Sequence, residues 1–147
     1  MNISTILFDA GDILYSKPRR KYNISKFLTD RGYSPPKVKD PVERAMRLKA
    51  HAGKIGVTEF MEWLMEHYGV SDLQTIEDGV AMLKSQQNDV TFFDGVGSTL
   101  HELKRRGFKL GVVTNTFNPP SEKNIWFKTI GIDGICDSYV YSCELGV

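Results

Sequence analysis

An α/β fold, a parallel sheet with a helical block inserted after its first strand, is what this sequence predicts. Three observations carry that expectation. Ile6-Leu7-Phe8-Asp9, Lys109-Leu110-Gly111-Val112-Val113-Thr114 and Tyr139-Val140-Tyr141-Ser142 are short apolar runs, each ending in a polar side chain. Runs of that length, rich in β-branched and aromatic residues, read as strands of a buried sheet. A helical pattern separates the second run from the third, the alternation of a right-handed parallel arrangement. Helical periodicity also fills Tyr22 to about Gln87, between the first run and the second.

Taken in order, the first run breaks at Asp9 and continues into Ala10-Gly11-Asp12-Ile13-Leu14. Parallel strands put their carboxyl ends on one edge of the sheet, where open α/β sheets bind ligands. Asp9, Thr114 and Ser142 are therefore placed together. A carboxylate in that position reads as a nucleophile or a ligand for a hard cation, and otherwise as a cap for the next turn. The basic stretch Lys17-Pro18-Arg19-Arg20-Lys21 reads either as a solvated linker or as an attraction for anions. In the helical block, Ile24, Phe27 and Leu28 share a face, with Gly32 as the stop. Asp40-Pro41-Val42-Glu43 is a helix start with an N-cap carboxylate and Pro in the first turn. Thr58 opens a further helix with Phe60, Trp63, Leu64 and Tyr68 apolar. Ser71 opens another, striped by Leu73, Ile76, Val80 and Leu83. Downstream, Val96, Leu100 and Leu103 lead into Lys104-Arg105-Arg106-Gly107, a basic last turn that suits the negative end of the helix dipole. A helix from Ser121 presents Ile125, Trp126, Phe127 and Ile130.

The 147 residues suffice for a domain with a proper core, and 41% apolar with 25% charged residues is globular composition. A formal net charge of +1 points to no nucleic-acid or acidic-membrane partner. Cys136 and Cys143 lack metal spacing and read as free thiols in a reducing compartment. There is no signal-like leader and no apolar run of membrane length, so the expected location is cytoplasmic. No P-loop or G-x-G-x-x-G is present, and His51, His67 and His101 match no ligand spacing.

Phe8-Asp9-Ala10-Gly11-Asp12-Ile13-Leu14 is similar to h-D-x-D-G-T-L, the first motif of the haloacid dehalogenase-like hydrolases. Val112-Val113-Thr114-Asn115 is similar to the second motif. Phe93-Asp94-Gly95-Val96 resembles the passage from cap to core, and Ser142-Cys143-Glu144-Leu145-Gly146 the approach to the third motif. The resemblance implies a Rossmann-like parallel core over residues 1–15 and 90–147, incomplete at its C-terminus, and a helical cap over residues 16–89. It also implies that Asp9 is the nucleophile and that Mg2+ is held by Asp9 and the Gly11 carbonyl. The Thr114 hydroxyl would hold the transferring group, while Asn115 would orient the substrate or cap the following turn. The substrate would be a small anion, most often a phosphate ester.

Three departures from the motifs bear on this. Gly11 stands where phosphatases of the family carry a second Asp, an acid/base group of a kind that contributes roughly 10²–10⁴-fold. Dehalogenases of the family also lack it, which keeps C–halogen hydrolysis and an inactive binding or regulatory protein as alternatives. Asp12-Ile13 replaces Gly-Thr, so the turn is expected to change. The chain stops short of the family's Lys and acidic motifs, which predicts a truncated protein whose first strand is an open apolar edge prone to self-association.

Overall fold

The computed structural model describes residues 3–146, without the side chains of residues 20 and 21, so residues 1, 2 and 147 of the expected core lie outside it. Along the chain come β1 (Thr5–Phe8), β2 (Tyr15–Ser16), α1 (Arg20–Thr29), α2 (Pro41–His51), α3 (Val57–His67) and α4 (Leu73–Ser85). They are followed by β3 (Thr91–Phe92), α5 (Val96–Arg105), β4 (Lys109–Thr114), α6 (Pro120–Thr129), β5 (Ser138–Tyr141) and α7 (Ser142–Leu145). The fold is α/β. β1, β4 and β5 form a parallel sheet in the order β1-β4-β5, with Phe8 opposite Val112 and Thr114 opposite Tyr141.

The two faces of that sheet differ. Leu110 and Val112 are buried against Leu100 of α5 and Trp126 and Phe127 of α6, with Ile6, Phe8 and Tyr139 packed at the margin. On the other face Leu7 lies over Gly111, where a Cβ would fall 2.6 Å from Leu7 Cδ2. Leu7 is 64% exposed and Val113 46%. Among the described residues β1 pairs on one side only.

The helical insert has its own core, in which Phe27, Leu28, Phe60, Leu64, Met65 and Val80 are buried together. Its helix starts follow local chemistry. The Asp40 carboxylate accepts the Val42 and Glu43 N–H groups at 2.8 and 3.1 Å, as the capping pattern predicts. Two other starts shift. Gly56 rather than Thr58 caps α3, with its N–H donating to Glu59 at 3.3 Å, and Asp72 rather than Ser71 caps α4, accepting from the Thr75 N–H at 2.8 Å. α1 starts at Arg20 rather than Tyr22, and α6 at Pro120 rather than Ser121. Leu73, expected on the buried stripe, sits at the first position of α4 and is 78% exposed; Ile125 of α6 is 60% exposed. The passages into and out of the insert form a two-residue antiparallel ribbon, Tyr15 opposite Phe92 and Ser16 opposite Thr91, which no pattern in the sequence predicts.

Insert and core touch at Gly53. This residue follows α2 with φ 65°, and a Cβ there would collide with the Cys143 carbonyl oxygen. The neighbour is backbone and cannot swing aside. Gly69 has φ 86° with open space around it. Gly69→Ala is therefore expected to lose only the left-handed backbone term of about 1–2 kcal/mol. Gly53→Ala should lose clearly more, because it adds the collision. Urea unfolding midpoints of the two variants check this.

Candidate active site

The carboxyl ends of the three parallel strands meet along one edge. Asp9 follows β1 directly, one step beyond the Phe8–Val112 pair, and Thr114 closes β4 beside Tyr141. Asp9 is exposed, and among the described residues its carboxylate has no hydrogen-bond partner. Thr114 is buried. Asn115 is exposed at the start of the loop into α6.

After Asp9 the chain turns back sharply. The Leu14 N–H donates to the Ala10 carbonyl at 2.9 Å and the Asp12 N–H to the Tyr15 carbonyl at 2.8 Å. Asp12 takes φ 60°, the left-handed conformation. Asp tolerates that region better than most residues. Gly11 is not in the left-handed region, and nothing lies within 4 Å of where its Cβ would be. Space for a side chain exists there, but no carboxylate fills it.

Beneath this turn lies a pair that the sequence analysis does not single out. Lys123 of α6 is 2% exposed, and its ammonium donates to the Tyr15 hydroxyl at 2.7 Å. It also lies 5.4 Å from the Tyr15 ring centroid and 5.5 Å from that of Trp126. Burial pushes the lysine down to about 8, while the charges of Asp9 and then Cys143 act to raise it. Burial, and next the Asp9 charge, holds the Tyr15 hydroxyl above its usual range. A signal exists in the sequence. Lys123 precedes Trp126 and Phe127 by three and four residues, which places it on the apolar face of the helix.

Ser142 proves to be a structural link. Its hydroxyl accepts the Thr116 N–H at 3.0 Å and donates to the His51 carbonyl at 2.8 Å, tying the loop after β4 to the end of α2. That loop is further held by the Asn118 N–H on Thr116 Oγ1 at 3.0 Å and the Asn118 amide on Glu122 at 2.8 Å.

No group of three or more His, Cys, Asp or Glu side chains gathers at metal distance among the described residues. The turn offers the Asp9 carboxylate and the Gly11 carbonyl. Mg2+ keeps several waters and takes one or two carboxylates, so this donor set fits part of a magnesium shell. Among the described residues no helix is long and apolar enough to cross a membrane.

A parallel sheet with its crossover helices and a helical insert, carrying a carboxylate at the end of the first strand, is a Rossmann-like α/β core. The sequence profile of the haloacid dehalogenase-like hydrolases matches residues 40–142, and the chain belongs to that family. No curated protein matches it in sequence. Solved structures share the fold. The L-2-haloacid dehalogenase RSc1362 is 13% identical at a TM-score of 0.63, over 100% of this chain and 67% of its own. A predicted phosphoglycolate phosphatase from Haemophilus somnus is 18% identical at a TM-score of 0.57, over 95% of this chain and 63% of its own. YfnB of Bacillus subtilis, assigned to the HAD hydrolases and bound to magnesium, is 15% identical at a TM-score of 0.61, over 95% and 65%. The chain thus spans less than two thirds of the length of the phosphatase and of YfnB.

The buried lysine has a pH signature. Its pKa is lower in the folded state than the ordinary 10.5, so below about 8 both states hold the proton and the folded state carries the full cost of burying the charge. Between about 8 and 10.5 the unfolded chain binds more protons, and stability rises with pH by up to about 1.4 kcal/mol per unit. Lys123→Met should remove that rise. Urea unfolding of both proteins between neutral and alkaline pH tests it, read as the difference between them.

Proposed function

We propose that the whole protein is a magnesium-dependent hydrolase that uses Asp9 as nucleophile on a small anionic substrate, most simply a phosphate ester. The supporting observation is the position of Asp9: an exposed, unpartnered carboxylate on a rigid strand end, beside Thr114 and above the buried Lys123. A carboxylate nucleophile needs placing more than activating.

One Asp9 oxygen attacks phosphorus, the bond to the leaving alcohol breaks, and the alcohol oxygen takes its proton from water. Water then attacks the phosphorus of the aspartyl-phosphate, the bond to Asp9 breaks, and the carboxylate is restored as phosphate leaves. The Thr114 hydroxyl and neighbouring N–H groups hold the transferred oxygens, and Asn115 contacts the substrate from the loop. Asp9 and the Gly11 carbonyl would hold Mg2+, which when bound neutralises charge on the transferred group. Lys123 sets the field behind the nucleophile.

A second reading rests on Gly11. Without a carboxylate there, only water is left to protonate an alkoxide, whereas a halide leaves without a proton. Dehalogenase-type displacement at carbon therefore needs no residue that the turn lacks. A third reading is a non-catalytic family member. Phosphate-ester hydrolysis with and without Mg2+ separates the first reading from the other two. Asp9→Asn should abolish turnover, and activity unchanged by it would sink the assignment. Gly11→Asp enters open space and should raise phosphatase turnover by roughly 10²–10⁴-fold. No gain would favour the dehalogenase or non-catalytic reading.

We also propose that this chain pairs with a second copy along β1, whose free edge adjoins the exposed Leu7. Sizing chromatography at tens of micromolar should show association that Leu7→Lys reduces. A monodisperse monomer would count against it.

A further inference from the structure

A concavity lies in the helical insert, and Asp9 is not among the residues that line it. It measures about 590 Å³, within the usual range for small-molecule sites. Ile24 of α1, Phe60 and Leu64 of α3, Leu83 of α4 and Phe117 of the loop after β4 form its apolar wall. Phe117 seals the core side, its ring 5.6 Å from that of Phe60.

The charged groups around this wall lean towards the positive. Two acids line it, and both are spent. Asp40 caps α2 and pairs with His67 at 2.9 Å, while Glu43 pairs with Arg47 and accepts the Tyr68 hydroxyl at 2.5 Å. The exposed Lys37, Lys39 and Arg44 also line it, and among the described residues none has a carboxylate partner. Lys39 holds φ 61°, a left-handed conformation that is strained for a lysine. Within the wall, Arg47 Nη1 and Gln87 Nε2 are buried donors that no protein acceptor meets, and Gln86 Oε1 is a buried acceptor that no protein donor meets. Buried donors without acceptors are rare in folded proteins and need a reason. Both donors sit at the ends of long, rotatable side chains.

We infer that this cavity binds a small amphiphilic anion, a carboxylate carried on an aliphatic or aromatic body. The body fills the Phe60–Leu83–Phe117 wall, and the carboxylate accepts from Arg47 and Gln87 under the field of Lys37, Lys39 and Arg44. The inference does not depend on Asp9 chemistry.

Isothermal titration of the 147-residue chain with octanoate and 4-phenylbutyrate, each beside its primary amide, tests it. The acids should saturate at one equivalent and bind at least about tenfold more tightly than the amides, since tenfold corresponds to the worth of one charge-assisted contact. Lys39→Glu with Arg44→Glu changes only exposed positions and should erase that preference while leaving amide binding unchanged. Leu83→Trp, with its fold checked by circular dichroism, should block both ligands. Equal binding of acid and amide, or no saturation at millimolar ligand, overturns the inference. Asp9→Asn should bind the acids as the parent does, so a failed hydrolase assignment leaves this readout intact. Competitive inhibition of turnover by the acid would mark the occupant as part of the substrate, and non-competitive inhibition would mark an effector; both support the site.

Discussion

The parallel pairing of β1 with β4 is the constraint on which the site depends. Its register sets Phe8 opposite Val112 and so delivers Asp9 to the level of Val113, one residue short of Thr114. A shift of one residue would exchange the inward-packed Ile6 and Phe8 for the exposed Leu7, which the packing against α5 and α6 forbids. Yet β1 is four residues long and, among the described residues, pairs on one side. Its hold comes from β4, which is central in the sheet, and from the turn that folds back through Ala10 and Tyr15.

Burying an ammonium costs several kcal/mol even after relaxation. Lys123 recovers part of this through the Tyr15 hydroxyl and the faces of Tyr15 and Trp126. The Asp9 charge supplies more, since it acts to keep the lysine protonated against burial. The two charges are thus linked. Asp9 reduces the cost of keeping Lys123 inside, and Lys123 in turn sets a positive charge behind the carboxylate. Tyr15 joins them physically, with its backbone in the turn and its hydroxyl on the lysine.

The strands and the carboxylate at the end of the first are legible in the sequence because a short apolar run that breaks at an Asp has few other readings. Gly11 and the family motifs are legible for the same reason, being local in sequence. What the sequence hides is pairing over long range. β2 and β3 have two residues each, too few for any periodicity, and exist because Tyr15 meets Phe92 across the whole insert. The starts of α3 and α4 fall one or two residues from their expected places because each segment holds two capping candidates, and only the fold decides which one meets a free N–H. Lys123 is hidden because lysine on an apolar face normally reaches out to solvent. Ser142 reads as a binding group from its place at a strand end, but its hydroxyl is consumed by Thr116 and His51.

The insert is attached to the core by the two-residue ribbon and by few other contacts. They include the Ser142 hydroxyl on the His51 carbonyl, the close approach of Gly53 to Cys143, the Trp126 indole N–H on Asn88, the Lys17 ammonium over the Trp126 ring, and the rings of His51 and Phe60 against Phe117. Phe117 belongs to both sides. It lies three residues past Thr114 in a loop pinned by Thr116 and Asn118, and it also forms the core-side wall of the insert cavity. A molecule packed against that ring bears directly on the loop that begins at Thr114. Phe117 is thus the side chain by which the loop that begins at Thr114 borders the cavity of the insert.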